Sequence, residues 1–149
     1  MVRSTRVSIV LAQFAQVADG MVNMLGGGVT VMGPMAGPFA IAGVIEMPWE
    51  AAGVPHKLRF DLLDDQGAPF MVPTPDGSQP LRIEGQFDLA PQPGIKRGTP
   101  LTMPIAINLP AQPFAPGTRY EWRLEIDGET HEDWRLGFAT RPDFQSLAA

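Results

Sequence analysis

Leu81-Arg82-Ile83-Glu84-Gly85-Gln86-Phe87-Asp88-Leu89-Ala90 decides the fold class. Its apolar residues fall on every second position, against Arg82, Glu84, Gln86 and Asp88. A strand with one buried face requires that period, because successive side chains point to opposite sides. Leu101, Met103, Ile105, Ile107 and Leu109 repeat the pattern twenty residues later. Pro104 interrupts this second run with a residue that cannot donate to a ladder, so the strand is expected at a sheet edge or a bulge. Pro91 to Pro100 reads as the loop between the two.

Downstream, Tyr120, Trp122, Leu124 and Ile126 point one way, and Glu121, Arg123 and Glu125 point the other. Asp127-Gly128 marks a turn, after which Trp134, Leu136 and Phe138 return. A two-residue loop would set Asp133 against Trp122 and His131 against Leu124, placing polar groups on the core face. A loop at Ile126 to Gly128 would oppose Arg119 to Arg135 and Glu121 to Asp133. A three-residue loop, Asp127 to Glu129, pairs Trp122 with Trp134 and Tyr120 with Leu136. It also sets Glu121 against Arg135 and Arg123 against Asp133, and is the register expected.

Upstream, Leu58, Phe60 and Leu62 alternate with Arg59 and Asp61 before a turn at Asp64-Asp65-Gln66-Gly67. Pro73 to Pro80 reads as a further turn region around Asp76-Gly77. In the first 54 residues the charges are Arg3, Arg6, Asp19, Glu46 and Glu50. Strands are expected near Arg6 to Ala15, Met21 to Leu25, Val29 to Met32 and Phe39 to Met47, with breaks at Asp19-Gly20 and Gly26-Gly27-Gly28. Strands apolar on both faces belong at the centre of a fold or beneath a partner. With 149 residues, 16 glycines and 16 prolines, the chain suits many short elements around one core. The expectation is all-β: a single two-layer antiparallel sandwich, immunoglobulin-like, of about nine strands over residues 1–141. Residues 142–149 form a C-terminal tail that could extend a strand, fray, or dock elsewhere.

Three stretches resemble the hallmarks of an uncharacterised bacterial, actinobacterial-type β-sandwich family of unknown function. They are Val17 to Gly28, with Asp19-Gly20 and Gly26-Gly27-Gly28; His56 to Gly67; and Phe114 to Tyr120 leading to Leu124-Glu125-Ile126-Asp127-Gly128. Met21 stands where the first motif usually has Lys. The resemblance spans nearly the whole chain and implies the fold. It carries no activity to transfer.

The chain has no cysteine, which excludes disulfides and thiolate chemistry. A net charge of −5, with Lys57 and Lys96 as its lysines, argues against a nucleic-acid partner. Arg3 and Arg6 before Val7 to Ala12 imitate a signal peptide, but the apolar run is short and the strand reading is preferred. A cytoplasmic or virion-associated location follows as the expectation, with no membrane span. His56 and His131 are read as exposed strand positions beside turns. Asp61, Asp64, Asp65 and Asp76 match no dedicated calcium loop and suffice as turn chemistry. Ser4, Ser8, Ser78 and Ser146 stand in no nucleophile elbow. No catalytic, cofactor or metal residue is assigned, and an enzyme is not expected.

The charge-poor stretch holding Met32, Met35, Phe39, Met47 and Trp49 has two readings. Core packing accounts for most of it, whereas an exposed patch would be a candidate protein interface. The functional expectation is a non-enzymatic structural or interaction module. It would self-associate or decorate a larger assembly, of virion or secretion type. The alternative is a small-ligand or glycan binder using Trp49 as a stacking platform.

Overall fold

A computed structural model describes residues 5–142. The expected tail therefore lies outside the described residues except for Pro142. No α-helix forms among them, and no helix is long and apolar enough to cross a membrane. In chain order the strands are β1 (Arg6–Ala12), β2 (Phe14–Ala18), β3 (Met21–Leu25), β4 (Val31–Met32), β5 (Met35–Ala36), β6 (Phe39–Met47) and β7 (His56–Leu63). There follow β8 (Met71–Thr74), β9 (Gly77–Pro80), β10 (Arg82–Phe87), β11 (Leu101–Leu109), β12 (Gln112–Pro113), β13 (Arg119–Ile126) and β14 (Glu129–Thr140). A 3₁₀ turn at Trp49–Ala51 joins β6 to β7.

The chain is all-β, but its organisation departs from the expectation of about nine antiparallel strands. Fourteen strand segments form five sheets among the described residues. The largest has the order β10-β7-β13-β14-β4, and its last pair is parallel. A second, β1-β6-β11, is antiparallel, and three two-stranded pieces complete the set: β2-β3, β8-β9 and β5-β12.

Strand β6 lies between β1 and β11, which explains why it is apolar on both faces. Its odd positions Phe39, Ile41, Ile45 and Met47 enter the main core. That core is shared with Phe60 and Leu62 of β7, with Tyr120, Trp122, Leu124 and Ile126 of β13, and with Trp134 and Phe138 of β14. Its even positions Ala40 and Ala42 pack on the opposite side with Ala106 and with Ala15 of β2. Gly43 sits mid-strand at φ 155°, and a Cβ there would run into the Ser8 carbonyl oxygen and lie 2.7 Å from Ile9 Cα. Glycine is what lets β1 approach so closely.

Pro104 stands on β11, an edge of its sheet, as expected. The Pro73 to Pro80 region is not a simple turn: it is the hairpin β8-β9, with Thr74 paired to Gly77. The β13–β14 hairpin also corrects the expected register. Ile126 pairs with Glu129, so the loop is the two-residue Asp127-Gly128, with φ of 52° and 80° suiting a type I′ turn. Higher up, Trp122 pairs with Leu136 and Tyr120 with Phe138. Between Arg123 and Glu125, two steps along β13 are matched by five along β14. This irregularity leaves His131, Glu132 and Asp133 in water and still turns Trp134 into the core. Polar groups that a uniform ladder would have buried are looped out instead. Arg135 then faces Arg123, and Glu121 lies beside both, 2.7 Å from Arg123 Nε and 4.0 Å from Arg135 Nε.

Candidate interaction surface

Of the five residues offered as an interface, Met32, Phe39 and Met47 are buried in the main core. Trp49 is half-buried against that core, on the 3₁₀ turn. Met35 belongs to β5, paired with Pro113, and its side chain lies outside the described residues. The charge-poor stretch is thus mainly core, and the greasy surface lies elsewhere.

That surface is the hairpin of β2 and β3. Its turn, Asp19-Gly20, has φ of 53° and 72°, again suiting a two-residue type I′ turn. The register pairs Phe14 with Leu25, Ala15 with Met24, Gln16 with Asn23, Val17 with Val22 and Ala18 with Met21. Paired residues share a face, so Ala15, Val17, Val22 and Met24 form one side. Ala15 and Val22 on that side pack on the alanine patch of β6 and β11. The small side chains let the hairpin lie close. The other side carries Phe14, Gln16, Ala18, Met21, Asn23 and Leu25. Phe14 is 48% exposed, Met21 62% and Leu25 66%. From Gln13 to Gly28, Asp19 is the one charged residue.

A side-chain clamp holds the hairpin in place. The Asn108 amide of β11 donates to the Ala15 carbonyl at 2.8 Å, and its own oxygen accepts the Ala15 N–H at 3.2 Å. Asn108 thus completes the ladder position that a further strand would otherwise fill. Gly28 and Val29 N–H groups both bond to the Leu11 carbonyl and return the chain to β1.

At the far end of the molecule, His56 corrects its expected exposure: it is buried, with its ring stacked on Phe87. Its Nε2 donates to the Ala51 carbonyl at 2.7 Å, and its Nδ1 donates to Asp127 Oδ2 at 2.7 Å. Both partners accept when Asp127 is ionised, so the site favours the imidazolium form, with a proton on each ring nitrogen. Burial works against that charge, but the bonds to Ala51 and Asp127 outweigh it and raise the His56 pKa above 6.5. Burial likewise opposes the Asp127 carboxylate, and the His56 and Lys57 hydrogen bonds overcome it, lowering its pKa below 3.8. Asp127 Oδ1 accepts the Lys57 N–H at 2.9 Å, and its own N–H donates to the Lys57 carbonyl at 2.9 Å. These bonds fasten the β13–β14 turn to β7 and the 3₁₀ turn.

Of the acidic candidates, Asp61 and Asp64 are also occupied. Asp61 bonds Arg59 at 3.0 Å and Arg82 at 2.6 Å, and Arg59 pairs on with Glu125. Asp64 Oδ1 accepts the Gln66 and Ala68 N–H groups at 2.9 Å, which is turn chemistry as expected. His131 is exposed beside Asp133.

Fold and surface define an all-β domain that presents an apolar hairpin to solvent. The chain belongs to a family of unknown function, DUF6941, whose pattern matches residues 7–138. No curated protein matches. Among solved structures it is similar to the sensor domain of the anti-sigma factor RsgI4 of Pseudobacteroides cellulosolvens. The identity is 11%, over 93% of this chain and 92% of that one, with a TM-score of 0.36.

Proposed function

We propose that the domain is a non-enzymatic interaction module, built as a two-layer sandwich of immunoglobulin type, whose β2–β3 hairpin seats a protein partner within a larger assembly. One observation carries this reading: Phe14, Met21 and Leu25 are together on one hairpin face and largely in water. A cluster of large apolar side chains in a charge-poor setting is the composition of an interface centre. The shared core of the two main sheets supports the sandwich, and the half-buried Trp49 argues against the glycan alternative.

The test is purification of the tagged chain from its own cells, as wild type and as a Met21→Ser/Leu25→Ser double variant. These side chains are exposed, so stability should change by no more than about 0.5 kcal/mol. The wild type should co-purify with a stoichiometric protein, either a further copy or another chain, and the variant should lose it. Equal recovery of that protein with both forms, or of none with either, overturns the reading.

A further inference from the structure

Strand β3 pairs with β2 alone in its sheet, so its other edge is free. Ala18 and Met21 flank a two-residue turn and so exchange both backbone hydrogen bonds. The alternation then turns the N–H and C=O groups of Asn23 and Leu25 toward β2, and those of Val22 and Met24 away from it. The Asn108 clamp agrees with this phase, because Ala15, opposite Met24, also turns its backbone groups outward. On β2 the outward groups of Ala15 are capped by Asn108. On β3 the outward groups lie along an edge turned away from β11.

Several other edges of the described fold carry a device against pairing, although β1, also an edge, is uncharged from Val7 to Ala12. Strand β10 has Arg82 and Glu84, β11 has Pro104, β8 and β9 have Pro73 and Pro80, and β4 is two residues long. Strand β3, Met21-Val22-Asn23-Met24-Leu25, has no charge and no proline. An uncharged flat edge is a template for another strand.

We propose that a second copy of this chain occupies that edge, the two β3 strands pairing antiparallel about a two-fold axis through Asn23. This rests on the interaction reading above and names its partner. The pairing is self-complementary at each level. Val22 faces Met24 of the other copy, and Met24 faces Val22, as hydrogen-bonded pairs that use the outward groups. Asn23 faces its mate in the close, non-hydrogen-bonded position, where two amides can each donate and accept. Met21 of one copy meets Leu25 of the other on either side, so the most exposed apolar residues cover each other. In a chain of net charge −5, this charge-free edge is where two copies approach with least repulsion.

The native chain lacks cysteine, so one introduced thiol reports cleanly. In a non-hydrogen-bonded pair the Cα atoms lie about 4.5 Å apart, within disulfide reach. Under mild oxidation the full-length Asn23→Cys variant should form a reducible covalent dimer. Gln16→Cys, on the same face of β2, would sit about three strand spacings from its mate and should stay monomeric. Sedimentation of the wild type should show a concentration-dependent monomer–dimer shift. Asn23→Lys and Asn23→Asp should each move it to higher concentration, and a mixture of the two should restore it. A wild type that is monomeric throughout, or cross-linking equally fast from positions 16 and 23, overturns the self-pairing. If that happens while the purification above recovers a different protein through Met21 and Leu25, the interaction reading stands and only its partner changes. A lone monomer in both experiments removes both.

Discussion

Asp127→Asn isolates the charge in the His56–Asp127 fastening without removing its shape. Asn tolerates the positive φ of 52° at this turn and can still accept the Lys57 N–H through one oxygen. Its NH₂ group then faces His56 Nδ1, which must become an acceptor while Nε2–H keeps its bond to Ala51. The result is a neutral pair with every group satisfied, so what is lost is the charge-assisted part of the bond. A hydrogen bond between charged groups is worth about 1.5–3 kcal/mol against roughly 1 for a neutral one. The Asp127 side chain is 40% exposed, so water screens part of that gain. The net cost expected at pH 5 is about 1 kcal/mol, a fall in Tm of roughly 2–4 °C for a chain of this size.

The dependence on pH gives the sharper test. A raised folded pKa makes the His56 contribution complete below 6.5 and lost as pH rises through the folded value. A lowered folded pKa makes the Asp127 contribution complete above 3.8 and lost as pH falls through the folded value. The pair is therefore at full strength between about pH 3.8 and 6.5. Wild type and Asp127→Asn should differ most in that window and converge at alkaline pH, as followed by urea denaturation from pH 4.5 to 9.5. A difference that stays constant across the range would refute the imidazolium assignment.

Gly43→Ala should destabilise the fold by about 3 kcal/mol or more, since the new methyl meets the backbone of β1, which cannot step aside as a side chain can; the urea midpoint checks it. Asn108→Ala should release the hairpin while leaving the core intact. Losing two hydrogen bonds of about 1 kcal/mol each should speed amide exchange at Ala15 by roughly thirtyfold, with little change in β13.

Strand boundaries were legible where alternation or a flanking glycine or proline marked them. Strands β3, β6 and β11 stand at the residues expected from such signals. The β8–β9 hairpin was hidden by its own prolines, which read as loop, yet a two-stranded edge piece can hold them. The β13–β14 register was hidden because pairing arithmetic assumes equal steps on both strands, and β14 loops out three polar residues to bury Trp134. Burial of Met32, Phe39 and Met47 fitted a core reading but could not be separated from an exposed patch, because a run apolar on both faces has no alternation to assign sides. The hairpin did carry a signal: Phe14 to Leu25 around Asp19-Gly20 is apolar on both faces, and one of them had to be left uncovered. His56 had none, since its bond to Asp127 joins residues 71 apart in sequence.

Amide exchange on the wild-type chain at increasing protein concentration addresses the β3 edge directly. Protection at Val22 and Met24, whose N–H groups point away from β2, should rise with concentration while that at Asn23, already bonded within the hairpin, stays level. Exchange at Val22 and Met24 that is fast and independent of concentration would contradict the account.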